Sequence, residues 1–205
     1  MKKRVLVISS ANMDFVMNVG KLPEAGRTVT SRRGYSYIPG GKGANAALTL
    51  ARLGADCIFC AKLGNDANGQ RLRSLYSESG IDIRFLTQDK KAPTGLAAII
   101  VEENGDNRII AYPGANERLS VGDVEDAMTT LPDAVFLQFE IPEKAVIAAS
   151  QFAYEKRVPV FVDAGPAYVG YPLDELDAPT LLTTIPPTAF AYLTAFTISP
   201  VLRYS

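Results

Sequence analysis

The chain has 205 residues, 47% apolar and 21% charged, a balance that suits one substantial globular domain. Its formal net charge of −1 argues against a general electrostatic attraction to nucleic acid or anionic membrane. The absence of histidine removes histidine triads, histidine general bases and histidine-bearing metal sites.

Arg4 to Ser9 reads as a strand buried on both faces, because Val5-Leu6-Val7-Ile8 is continuous and mostly β-branched. That run is too short for a secretory segment, so a cytoplasmic protein is expected. Turn-forming residues follow at Ser10 to Asp14, and Thr28 to Ile38 is strand-like but interrupted by Arg32-Arg33. Lys42 to Leu53 is helical, with Ala44, Ala47, Leu48 and Ala51 on one face and Gly54 as the stop. Asp56 to Ala61 reads as a strand. Asp66 to Ser79 reads as a helix with Leu72, Leu75 and Tyr76 on one side.

Thr94–Val101 and Arg108–Tyr112 read as the arms of a hairpin joined through Asn104-Gly105. Ser120 opens a helix with Asp123 three positions on, a variant of the capping pattern. Ala134–Phe139 is a strand, Pro142–Lys156 a helix opened by proline, and Val158–Asp163 a strand. Strands alternating with helices predict a mostly parallel sheet covered on both faces. The 28–38 segment and the hairpin stand outside that alternation and predict a separate small β element.

Cys57 and Cys60 form a C-x-x-C inside an apolar run. On a strand, residues three apart point to opposite faces, so the pair reads as core rather than as a redox or metal site. In a parallel α/β fold, ligands sit at the carboxyl ends of the strands. Asn12 and Asp14 follow the first strand, Gly40-Gly41-Lys42-Gly43-Ala44-Asn45 opens a helix, and Glu140 follows Ala134–Phe139.

These groups suit a polyol. Carboxylates accept from hydroxyls, the amides of Asn12 and Asn45 both donate and accept, and a helix amino terminus offers unpaired N–H groups. Each residue also has a plain structural reading: Asp14 as a turn former, Asn45 as a solvent-facing helix residue, Glu140 as a helix cap. The glycine run is not a phosphate loop. Ser36 stands where the first glycine is required, and Gly43 follows Lys42 where Ser or Thr is needed. A dinucleotide fingerprint at Gly41-x-Gly43-x-x-Ala46 would have to follow the first strand directly, and it lies roughly thirty residues beyond it.

Several motifs together resemble the PfkB-type, ribokinase-like carbohydrate kinases. They are Ser10-Ala11-Asn12-Met13-Asp14, Pro23 to Val29, Gly40 to Ala47, Leu63-Gly64-Asn65-Asp66-x-x-Gly69, Thr94-Gly95, Gly114-Ala115-Asn116, Gln138 to Pro142 and Asp163 to Ala167. The resemblance runs from about Val5 to Leu176 and implies a Rossmann-like α/β domain, residues 1–177, with a small β-sheet lid from about 27–39 and 94–112. It implies transfer of the ATP γ-phosphoryl group to a primary sugar hydroxyl, most simply that of ribose. Mg²⁺ and often a stimulating monovalent cation would assist, and the lid would pair two copies into a homodimer. Carried over residue by residue, Asn12, Asp14, Gly41, Lys42, Asn45 and Glu140 would bind sugar hydroxyls.

The resemblance also implies an N-x-x-E segment and a later G-x-G-D motif carrying the catalytic Asp and an anion hole. Neither motif occurs in this sequence. The expectation is therefore a fold incomplete at the C-terminus, with no catalytic or metal-binding residue assigned and an inactive, sugar-binding pseudokinase as the alternative function. From Ala178 to Ser205 the only charge is Arg203, four residues are proline, and no helical or strand periodicity is visible. That stretch reads as a frameshifted tail, with a natural divergent C-terminal extension as the alternative, and it is too interrupted by proline to span a membrane.

Overall fold

The structure, a computed structural model, describes residues 2–165, 175–176 and 181–183. Pro166, Ala167 and the rest of the 178–205 tail lie outside the described residues. A six-stranded parallel sheet forms the body. Its strands are β1 (Arg4–Ile8), β4 (Asp56–Gly64), β5 (Leu86–Asp89), β8 (Ala134–Gln138), β9 (Val160–Asp163) and β10 (Leu181–Thr183), in the order β10-β9-β8-β1-β4-β5. Helices α1 (Lys42–Arg52) and α2 (Ala67–Glu78) cover one face, and α3 (Val121–Met128) and α4 (Glu143–Glu155) cover the other.

The pleat explains the two-layer core. In β1, Leu6 and Ile8 join Val124, Ala127, Val146 and Ala149 of α3 and α4. Val7 points the other way, to Ala44, Ala47, Leu72 and Tyr76 of α1 and α2. The same alternation separates the cysteines. Cys57 packs in the α1/α2 layer and Cys60 in the α3/α4 layer, both free and buried. Burial, above all, pushes both thiols up to about 12, as inert core groups.

A second, four-stranded sheet stands beside the body in the order β3-β2-β6-β7. It comprises β2 (Asn12–Val19), β3 (Tyr35–Gly40), β6 (Gly95–Glu102) and β7 (Asn107–Tyr112). β2 pairs antiparallel with β3 and parallel with β6, and β6 pairs antiparallel with β7. This corrects the sequence reading in two places. Ser10–Asp14 is not a turn, because β2 begins at Asn12 and its apolar residues at 13, 15, 17 and 19 alternate as a strand requires. The strand expected over Thr28–Ile38 begins only at Tyr35, after a left-handed Gly34. A third difference is β10. Leu181–Thr183 pairs in parallel with Phe161–Asp163 of β9, and three residues are too few for any periodicity to show.

Asp66 joins the two sheets. Its carboxylate caps α2 by accepting from Gly69 N at 2.8 Å, and it also accepts from Thr94 N and Thr94 Oγ1, each at 2.7 Å, at the entry to β6. Burial pushes this carboxyl up, but the Gly69, Thr94 and Asn68 hydrogen bonds outweigh it and leave the pKa lowered. A carboxyl depressed by folding contributes stability that is complete above its unfolded pKa and is lost as pH falls through the folded value. Asp66→Ala should therefore destabilise the fold by about 2 kcal/mol at neutral pH. In urea titrations the gap between wild type and variant should narrow below about pH 4; a gap independent of pH would sink the charge argument.

Candidate functional site

The site forms where β1 ends, β2 begins and α1 starts. β1 leads into Ser9, Ser10 and Ala11, all fully buried, before β2 carries Asn12 and Asp14 outward on alternate positions. The amino terminus of α1 presses against this crossing. Gly41 has φ 93°, a left-handed conformation that other residues rarely adopt, and a Cβ there would lie 3.1 Å from the Ser10 carbonyl oxygen and 3.2 Å from Asn12 N. A Cβ on Gly43 would land on the Ser9 hydroxyl. Glycine at both positions is thus what lets the helix start meet the strand exit. No side chain caps α1, so its first N–H groups are left to other partners.

Three charged groups converge here. Lys42 Nζ pairs with Glu140 Oε1, which arrives from the end of β8. The other oxygen of Glu140, Oε2, accepts from Ser10 Oγ at 2.8 Å. Glu140 does not cap a helix, since the N-cap of α4 is Pro142 and no side chain caps that helix. Asp14 shares the field of this pair. Its carboxyl is pushed above the ordinary range, chiefly by burial, then by the negative charge of Glu140, with Lys42 opposing both. The Asp14 carboxylate also fills the space beside Gly40 where a Cβ would stand.

A neutral network supports the charged one. Ser9 Oγ donates to Gln138 Oε1 at 2.8 Å, holding the ends of β1 and β8 together. Asn116, 1% exposed, lies in the short 3-10 helix Gly114–Arg118 that follows β7. Its side chain bonds to Ala11 N, Asn12 Oδ1 and Pro113 O.

Of the six residues expected from sequence, Asn12, Asp14, Gly41, Lys42 and Glu140 lie around this crossing. Asn45 is in the first turn of α1 but is exposed. Its backbone N–H donates to Gly41 O at 3.0 Å, and no side-chain hydrogen bond joins it to the other five. Ser10, Gln138 and Asn116 are polar groups of the site that the residue-by-residue reading did not single out. Their signal was a polar residue at 0–1% exposure, a property only the fold reveals. Among the described residues no three of His, Cys, Asp and Glu gather closely enough to hold a metal ion. No helix among the described residues is long and apolar enough to cross a membrane.

The profile of the pfkB family carbohydrate kinases matches residues 2–184, eight residues past the Leu176 limit read from motifs. A ribokinase of Haemophilus influenzae is 33% identical over 171 residues, covering 82% of this chain and 56% of that protein. A ribokinase of Bacillus subtilis is 31% identical over 204 residues, covering 98% of this chain and 68% of that protein. The solved structure of Arabidopsis thaliana ribokinase complexed with ribose and ATP superposes with a TM-score of 0.79 at 30% identity, covering 90% of this chain and 60% of that one. The chain thus spans little more than half the length of several relatives it matches. With the profile match over most of its length and the parallel sheet, the small mixed sheet and the polar crossing all in place, the chain belongs to the pfkB family of carbohydrate kinases, among the ribokinase-type members.

Proposed function

We propose that the described residues form the sugar-binding part of an ATP-dependent kinase for an unphosphorylated pentose, with D-ribose the favoured substrate and ribose 5-phosphate the product. The observation that carries this reading is the meeting of Asp14, Glu140, Lys42 and Asn12 at the strand ends. Carboxylates accept hydrogen bonds from sugar hydroxyls, and Lys42, Asn12 and the start of α1 donate to hydroxyl oxygens. Two carboxylates face one ammonium group, so a phosphate placed here would meet excess negative charge. A neutral sugar fits that balance better than a sugar phosphate.

The small sheet is well placed to act as a lid. By register, Asn12 and Asp14 share one face of it, while Phe15, Tyr35, Tyr37, Ile110 and Tyr112 share the other. A closed lid would keep water from an activated phosphoryl group. Its outer face carries Phe15 between Tyr35 and Tyr37 at ring-centroid distances of 5.5 and 5.2 Å, and Tyr35 is 66% and Ile110 76% exposed. A contiguous exposed apolar face of this kind suits a second copy of the chain.

Mg²⁺ and ATP belong to this proposal through the family relationship alone. ATP would supply the phosphoryl group. The residues described here would hold and orient the sugar, and Asp14 would keep a hydroxyl-accepting charge in the pocket.

Isothermal titration of the 205-residue chain should show binding of ribose and much weaker binding of ribose 5-phosphate; equal affinity for the two would remove the charge argument. Because no N-x-x-E or G-x-G-D motif occurs in the sequence, a coupled ADP-release assay is expected to register no ribose-dependent turnover. Measured turnover would refute that expectation.

Asp14→Asn should weaken ribose binding about ten- to hundredfold. It should also raise the thermal midpoint, because a carboxyl with a raised folded pKa costs stability once ionised at neutral pH. For the same reason, wild-type ribose affinity should fall on acidification while the pH is still above the ordinary carboxylate range. Tyr35→Glu together with Ile110→Glu should shift sedimentation to the monomer without changing ribose affinity; an unchanged dimer would place the pairing surface elsewhere.

A further inference from the structure

The direction of the Asn12 amide is set by groups far from it in sequence. An asparagine side chain can be turned by half a revolution with little change in shape, so its oxygen and nitrogen must be assigned from partners of known polarity. Asn116 has two such partners. Ala11 N is a backbone N–H and can only donate, so the Asn116 atom 2.9 Å away is the oxygen. Pro113 O is a carbonyl and can only accept, so the atom 2.9 Å from it is the nitrogen. That nitrogen also lies 2.7 Å from the Asn12 side chain, and a nitrogen donor requires an oxygen there. Oδ1 of Asn12 is therefore occupied, and Nδ2 has no hydrogen-bond partner among the described residues. Packing holds the pair in place, since a Cβ on Gly95 would strike both Asn12 Oδ1 and Asn116 Nδ2.

Building on the sugar-site reading, we propose that Asn116 is a positioning residue that makes Asn12 a hydrogen-bond donor to the ligand and closes its acceptor side. The consequence is a division of roles in the pocket. Asn12 Nδ2 meets the lone pair of a hydroxyl or ring oxygen, while Asp14 accepts hydrogen bonds from hydroxyls. Asn116 touches no ligand itself. It transmits the polarity of two backbone groups, Ala11 N–H and Pro113 C=O, to the site.

Asn116→Asp is the decisive variant. An aspartate there still accepts from Ala11 N but cannot donate to Asn12 or Pro113. Asn12 would turn its NH₂ toward the new carboxylate and present oxygen to the pocket. Nuclear magnetic resonance of ¹⁵N-asparagine-labelled protein reads this without any ligand. In wild type the Asn116 NH₂ should exchange slowly with water and the Asn12 NH₂ rapidly; in Asn116→Asp the Asn12 NH₂ should become slow. A slowly exchanging Asn12 NH₂ in unliganded wild type would overturn the assignment whether or not the variant folds.

Ribose titration supplies the functional arm. Asn116→Asp should lose about tenfold or more in affinity, and in an Asn12→Ala background the same change should cost nothing further. A full loss in that background, or no loss in wild type, would overturn the positioning role. Failure of wild type to bind ribose, with the expected exchange pattern intact, would reject the pentose reading and uphold the amide assignment.

Discussion

The close approach of the α1 amino terminus to the β1–β2 crossing is the constraint on which the rest of the site hangs. Gly41 and Gly43 allow it, the first by a left-handed backbone and the second by leaving room for the Ser9 hydroxyl. Any side chain there would push the helix away from the strand. Lys42 sits between these two glycines, so its reach to Glu140 depends on the same contact. The approach also places Gly40 against the Asp14 carboxylate. A single backbone arrangement thus sets the spacing of a cation and two carboxylates that come from three different elements.

The second requirement is that the small sheet keep its orientation on the body. Two polar fastenings do this at neighbouring points. Asp66 holds the start of β6 through Thr94, and Asn116 holds the start of β2 through Ala11 and Asn12. Both use an acceptor on the body side that meets backbone N–H groups left unpaired by the sheet change. Buried backbone donors must find partners, so these side chains do structural duty while aligning the polar groups of the crossing. Within the body, the Lys62–Asp123 ion pair ties β4 to α3, where Asp123 also completes the α3 capping box with Ser120. Burial pushes the Asp123 carboxyl up, but Lys62 and Ser120 outweigh it and leave the pKa lowered.

Much of this was legible in the sequence where the signal is local. The β1 run, the Lys42–Leu53 periodicity, the Ser120–Asp123 cap and the opposed cysteines each depend on residues close in the chain. β2 was obscured because Asn12 and Asp14 favour turns by composition, although its apolar positions alternate correctly. β5 is four residues, Leu-Thr-Gln-Asp, with too little pattern to register. Five of the six expected site residues gather, because strand ends and a helix start are places a sequence can mark. The supporting residues were hidden for a different reason. Asn116 meets Asn12 across 104 positions and Ser9 meets Gln138 across 129, and nothing local distinguishes such partners from ordinary turn residues.

These fastenings explain why the pocket holds its charges at some cost. Glu140 is stabilised on both oxygens, by Lys42 and by Ser10. Among the described residues Asp14 has no such pair of hydrogen-bond partners, and burial, followed by the charge of Glu140, leaves its pKa raised although Lys42 opposes both. A site optimised for stability alone would place a neutral residue there. On the proposed sugar-site reading, a ligand hydroxyl donating a hydrogen bond to Asp14 would supply a partner and so relieve in the complex what the free protein bears. On the same reading, this asymmetry makes Asp14 the carboxylate that a ligand hydroxyl would meet and Glu140 the one that chiefly holds the crossing together.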